Sequence, residues 1–309
     1  MKMTMTTSSP PLERGPPVRA FLFLAIGVLS VGAAAILVRL ADAPALTACV
    51  VRLGLGGAIL VVIAVVGARP FPSGNQAVRA VIAGALLALH FGLWIGSLSL
   101  TTVTASVVLV CLQPIFVAIG GALVFKERVS FRVGGGIGIA LVGAIIVATD
   151  TEANVIADGT ALGNAMALAG AVAIAAYVLT VRGLRGDVLA NAAVITTSAA
   201  IVTVPAALFV GAPLWPTTST SLLWLVALAL GPQVIGHTAL NAALRSLPAA
   251  VVSGSILLEP VIASSLAFVV LGEAAGGRTL GGGALTLIGV VILLRPRRDP
   301  LSGSAQKAS

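Results

Sequence analysis

Residues 113 to 143 read QPIFVAIGGALVFKERVSFRVGGGIGIALVG, and residues 259 to 289 read EPVIASSLAFVVLGEAAGGRTLGGGALTLIG. Laid over each other without a gap, at a displacement of 146 residues, they match at particular places. Pro114 falls on Pro260, Glu127 on Glu273 and Arg132 on Arg278, while Gly135, Gly136, Leu141 and Gly143 fall on Gly281, Gly282, Leu287 and Gly289. Chance between two Gly-rich apolar segments explains the glycines. It explains a matched proline and two matched charges poorly. The chain is thus an internal duplication, and the fold depends on how many apolar segments each copy contains.

Apolar runs occupy about 20–38, 45–67, 80–98, 103–125 and 133–149, then about 160–181, 189–210, 222–243, 249–271 and 279–294. Each is long enough to approach the roughly 20 residues that cross a bilayer as helix. With 58% hydrophobic and 9% charged residues and a mean hydropathy of +1.12, the 309-residue chain cannot cover a soluble globule, which needs about 25% charged residues. Unbroken apolar runs also exclude an outer-membrane barrel, whose strands alternate apolar and polar. The expected fold is an all-α membrane protein of ten transmembrane helices. Five spans per half is an odd number, so the second half enters the membrane upside down, as in the inverted repeats of secondary transporters.

The expected division is a disordered cytoplasmic tail at 1–18, a first repeat at 19–149, an external linker at 150–159, a second repeat at 160–295 and a cytoplasmic tail at 296–309. The first run has Arg14 and Arg19 before it and Ala33-Ala34-Ala35 within it, which fits a signal-peptide cleavage site. It continues to Val38, beyond the length of a signal core, and reads as a span. With both termini inside, 15 of the 18 Lys and Arg residues lie in cytoplasmic loops and tails, the exceptions being Arg39, Arg52 and Arg278. The linker carries Asp150, Glu152 and Asp158 and no basic residue. This asymmetry sets the expected orientation. The basic residues end apolar runs and do not form a patch, so no nucleic-acid partner is expected. Cys49 and Cys111 lie inside apolar runs, where they build neither a disulfide framework nor a metal site.

Several short motifs carry a family resemblance. In the first half they are Val51-Arg52-Leu53, His90-Phe91-Gly92-Leu93-Trp94, Gln113-Pro114 and Phe125-Lys126-Glu127-Arg128. In the second they are Gly236-His237-Thr238-Ala239-Leu240-Asn241, Leu258-Glu259-Pro260-Val261 and Leu271-Gly272-Glu273. Over about residues 20–295 the pattern resembles the EamA family of the drug/metabolite transporter superfamily, ten-span permeases built from two five-helix repeats. The first unit departs from it in reading Phe-Lys-Glu where the family usually has Leu-Gly-Glu. The resemblance implies a bacterial inner-membrane location and export. One Tyr and three Trp provide little for an aromatic-lined cavity, which counts against aromatic amino acids as substrates.

An ionisable side chain at mid-bilayer costs about 2.5–3.5 kcal/mol on insertion scales, so each needs a reason. Glu259 lies at the centre of the ninth run, directly before Pro260, where the missing backbone donor frees a carbonyl near residue 256. A carboxyl beside a helix break is how a carrier builds a midplane site. Gln113, before the helix-kinking Pro114, is its counterpart. His90 and His237 are mid-span at nearly equivalent places, with Trp94, Gln233, Asn241 and Tyr177 as further cavity candidates. Arg52, about 10 Å inside the second span, either snorkels to the outer headgroups, binds a substrate carboxylate or pairs with Glu259. Glu127 and Glu273, at span ends near Arg128, Arg132 and Arg278, read as interfacial salt bridges and caps. Gly134-x-x-x-Gly138 and Gly281-Gly282-Gly283 suit close helix packing, and leave a homodimer open.

These features predict a secondary active transporter that exports small polar metabolites such as amino acids by alternating access, with Glu259 as a candidate for proton coupling. Its partners are a small-molecule substrate and the lipid bilayer. A multidrug or cation efflux carrier is the alternative. An intramembrane enzyme is the third possibility, and no paired catalytic groups or His-x-x-x-His face support it. No phosphate loop, cofactor or metal is expected.

Overall fold

The computed structural model describes residues 18–98, 100, 106, 109–148, 161–272 and 276–295. They are helical, with no strand among them. Among the described residues seven helices are long and apolar enough to cross a membrane, and three shorter apolar helices accompany them. In chain order we label them α1 (Val18–Ala41, interrupted at Ala33), α2 (Ala45–Val66), α3 (Gly74–Leu98), α4 (Gln113–Phe125), α5 (Phe131–Ala148), α6 (Ala161–Arg182) and α7 (Val188–Phe209). There follow α8 (Ser219–Ala243), α9 (Ala249–Ser255 and Glu259–Leu271) and α10 (Gly277–Leu294). The acidic residues at 150–158, Glu273 and both tails lie outside the described residues.

The helices are apolar on most faces, as the interior of a bilayer requires. Buried Leu24, Leu53, Leu87, Val117, Ile195 and Leu244 form the core between α1, α2, α3, α4, α7 and α8. Val62, Val66, Leu123, Phe131, Phe209 and Val269 point outward, where a hydrocarbon solvent replaces water. Because no water satisfies backbone groups there, every break in a helix is a place of consequence.

The halves coincide in length. Displaced by 146 residues, α4 falls end for end on the second segment of α9, and α5 on α10. Helix α2 falls on α7 at a displacement of 143, and α3 on α8 at 145. The α5–α10 contact brings two backbones close together. Gly136 lies against Gly289, and Gly143 against Gly282, so the helices run antiparallel. Each glycine of one contact is the repeat equivalent of a glycine of the other, which is the reciprocity of a two-fold interface. The register differs from that expected from sequence. Gly138 and Gly281 have open space beside them, and the close approach is made by glycines seven apart, Gly136 with Gly143 and Gly282 with Gly289.

The loop ends sort into two groups. At one end Arg69 meets Asp187 at 3.5 Å, Arg79 donates to the Gly183 carbonyl and the Arg185 backbone N–H donates to Gln76. Glu127 pairs there with Arg182 at 3.1 Å and also accepts from the Ala249 N–H, capping α9. Arg182 further donates to the Leu244 carbonyl. The expected interfacial role of Glu127 thus has its partner on α6, across the bundle. At the other end Thr47 donates to the Pro213 carbonyl at 2.6 Å.

Candidate functional site

Two helices are irregular at mid-length, and a third starts at the place equivalent to one of the breaks. Helix α9 breaks into a 3-10 turn at Ile256–Leu258 and resumes at Glu259, with Pro260 in its first turn. The freed carbonyl of Ile256 accepts the Glu259 N–H in that turn. Helix α4 begins at the equivalent residue, Gln113, again with proline in its first turn. Helix α8 widens into a π-helix over Ala229–His237, with Pro232 inside it. A π segment costs hydrogen-bond quality and often marks a functional site. Pro114 and Pro260, the two residues expected from the sequence to kink their helices, both stand in the first turn of a helical segment. The widening around Pro232 was not expected from the sequence, although the same residue type causes it.

The π segment turns Gln233 and His237 toward the bundle interior. Gln233 is 1% exposed, accepts from Arg52 Nε at 2.9 Å and donates to Thr196 of α7 at 3.3 Å. Gly56 makes this possible, since a Cβ there would lie 2.8 Å from Gln233 Cγ. Arg52 is 6% exposed and does not reach for headgroups. Its guanidinium carbon sits 4.5 Å from the centre of the Phe91 ring, a cation–π contact. Glu259 is half-buried, with Arg52 and Cys111 within electrostatic reach but no ion pair to Arg52 among the described residues.

Rings line the neighbouring wall. His90 donates from Nδ1 to the Gly170 carbonyl oxygen at 2.9 Å, which places the ring proton on Nδ1, since a carbonyl only accepts. It stacks on Trp94 at 6.1 Å between centroids. His237 meets Phe91 and Tyr177 edge-on, each at 6.3 Å. Tyr177 donates to Asn241 at 3.1 Å. Trp94 Nε1 is buried with no hydrogen-bond partner among the described residues. A small crevice at the basic end of the bundle is lined by Val181, Leu184, Val188, Asn191, Ile195, Asn241 and Arg245. Asn241 therefore borders both the crevice and the ring cluster.

Arg52, His90, Trp94, Tyr177, Gln233, His237 and Asn241 form one contiguous cluster, with Glu259 beside it. Gln113 is buried at the start of α4, and no side-chain contact links it to the cluster among the described residues. The sequence missed Phe91, Thr196 and Gly56. Phe91 sits beside His90 in a quoted motif, and Thr196 lies in the apolar run richest in Thr and Ser, so both left a signal.

The EamA-like transporter family model matches residues 18–149 and again residues 161–295. An uncharacterized transporter of Archaeoglobus fulgidus is 27% identical over 218 residues, covering 67% of this chain and 73% of its own. A solved crystal structure with 18% identity superposes with a TM-score of 0.79, covering 90% of this chain and 97% of that one; at that identity the likeness concerns the fold alone.

Proposed function

Because this chain belongs to the EamA-like transporter family, we propose that it is a ten-span secondary carrier of two inverted repeats that exports small polar metabolites, amino acids among them, by alternating access. Both termini are cytoplasmic and the membrane is a bacterial inner membrane. The observation that carries this reading is the pair of mid-length irregularities in α8 and α9, with the equivalent proline start of α4, beside a polar cluster in an otherwise apolar bundle. Discontinuous helices that present polar groups at the repeat interface are the usual way such carriers build a site. The antiparallel, reciprocal contact of α5 and α10 supports two halves able to rock against each other.

Glu259 is the coupling group in this reading. It is ionisable where its counterpart Gln113 is not, so it alone of the two can carry a proton between the sides. The chain has no phosphate loop, and a gradient or substrate exchange supplies the energy. The wall of His90, Phe91, Trp94, Tyr177 and His237 beside a carboxyl favours the second reading, efflux of organic cations. One screen separates them: efflux and uptake in proteoliposomes with amino acids, nucleosides and organic cations, with and without a pH gradient. Movement of amino acids supports the first reading, and movement of cations alone replaces it with the second.

A further inference from the structure

We infer that Arg52 is the substrate-selecting residue, and that the transported class is one bearing a carboxylate, which the guanidinium receives through Nη1 and Nη2. The inference rests on the carrier reading above and narrows its substrate.

The argument begins with a buried cation. Arg52 is 94% buried, and its one hydrogen bond to the protein, among the described residues, is from Nε to the neutral Gln233. The terminal nitrogens donate to nothing there. No carboxylate among the described residues stands within ion-pair distance, although Glu259 is within electrostatic reach. A charge held away from water without a close counter-charge is costly, and Arg, unlike Lys, cannot escape the cost by losing its proton. The surroundings nevertheless hold the charge in place. Gln233 is fixed in turn by Thr196, Phe91 lies under the guanidinium plane, and Gly56 leaves the space that Gln233 fills. Nothing in this arrangement neutralises Arg52. All of it orients the group, leaving the planar fork of Nη1 and Nη2 for a ligand.

That fork matches a carboxylate in a two-bond, coplanar geometry. A permanently cationic compound would meet repulsion at the same place. The ring wall that favours cations is thus opposed by Arg52, whose guanidinium lies over Phe91 of that wall. Trp94 Nε1, a buried donor with no acceptor, is a further group that an oxygen-bearing substrate would satisfy and an amine would not.

Three matched sets of compounds test this: leucine, 3-methylbutylamine and 4-methylpentanoate; alanine, ethylamine and propionate; and phenylalanine, phenethylamine and 3-phenylpropionate. The readouts are thermal stabilisation of the purified protein and exchange in proteoliposomes. Carboxylate-bearing members of at least one set should bind and exchange, and the matched amine should be weaker by roughly ten- to hundredfold. Arg52→Gln should abolish that preference, and Arg52→Lys should keep it in reduced form, since the charge remains but the fork is lost. Amines that bind as well as acids, or an Arg52→Gln protein that keeps the preference, would overturn the inference while leaving the carrier reading standing. If Arg52→Gln does not fold, the ranking on wild-type protein and on Arg52→Lys decides. A protein that binds and moves no compound of any charge refutes the carrier reading itself, and this inference with it.

Discussion

Lys126 and Gly272 occupy equivalent positions after α4 and α9, and both have left-handed backbone, with φ of 55° and 70°. Glycine adopts that conformation without cost, whereas a residue with a Cβ is strained by roughly 1 kcal/mol. Lys126→Gly should therefore stabilise the protein by about 0.5–1 kcal/mol, offset in part by a more flexible unfolded chain. Thermal unfolding in detergent measures it. The departure from the family pattern at Phe125-Lys126-Glu127 thus reads as strain at a helix end, and the neighbouring Glu127 keeps its ion pair with Arg182. A similar comparison between halves bears on Glu259. Its counterpart is Gln113, at the first residue of an equivalent helix start, so an amide is compatible with this kind of break. Glu259→Gln should fold with wild-type stability, lose accumulation driven by a pH gradient, and retain substrate exchange. Proteoliposomes with imposed gradients test this, and unchanged pH dependence in the variant would remove Glu259 from the coupling role.

Helix positions and breaks were legible wherever a single residue type causes them. The apolar runs located α2, α6 and α7 to within about two residues, because lipid demands continuous apolar sequence. Helix α3 begins at Gly74, some six residues before its apolar run, since the polar turn at Asn75–Arg79 is helical yet outside the hydrocarbon. Pro260 announced the break in α9. Pro232 gave equal warning in α8, but a proline does not state whether it kinks, widens or ends a helix. Neither could the packing register be read from a run of glycines, because it depends on which face meets the partner. Gly134-x-x-x-Gly138 has the spacing of a contact motif, and yet Gly138 faces open space. Substitution separates the two kinds of glycine. A Cβ on Gly136 would lie 2.8 Å from the Gly289 carbonyl oxygen, and one on Gly282 the same 2.8 Å from that of Gly143. Gly136→Ala and Gly282→Ala should each cost about 1–3 kcal/mol by overpacking, and by similar amounts because the contact is reciprocal. Gly138→Ala should be neutral or stabilising by up to about 1 kcal/mol, as alanine favours helix. Unfolding of the three variants under one condition gives the comparison.

At the scale of the whole molecule the two-fold relation has a consequence for membrane insertion. Antiparallel α5 and α10 lie 146 residues apart in sequence, and in the proposed inverted-repeat carrier the two halves take opposite directions. Neither orientation is then preferred by the backbone, and the choice falls to charge. Arg69, Arg79, Arg182, Arg185 and Arg245 sit at one end of the bundle, with Asp187 and Glu127 engaged among them. Thr47 and the Pro213 carbonyl mark the other end. Positively charged loops are retained in the cytoplasm, so the proposed orientation has the Arg-rich end inside and Thr47 outside. A reporter enzyme fused after residue 155 should then be active only outside the membrane, and one fused after residue 186 only inside. Fusion after residue 295 should again report inside. Moving charge tests the cause. Replacing Arg69, Arg79, Arg182 and Arg185 by Gln while adding Lys residues between α1 and α2 should place part of the population upside down, visible as mixed reporter activity at both positions. Reporters after 155 and 186 that read on the same side would show that α6 does not cross the membrane, and with it the inversion of the second half would fall.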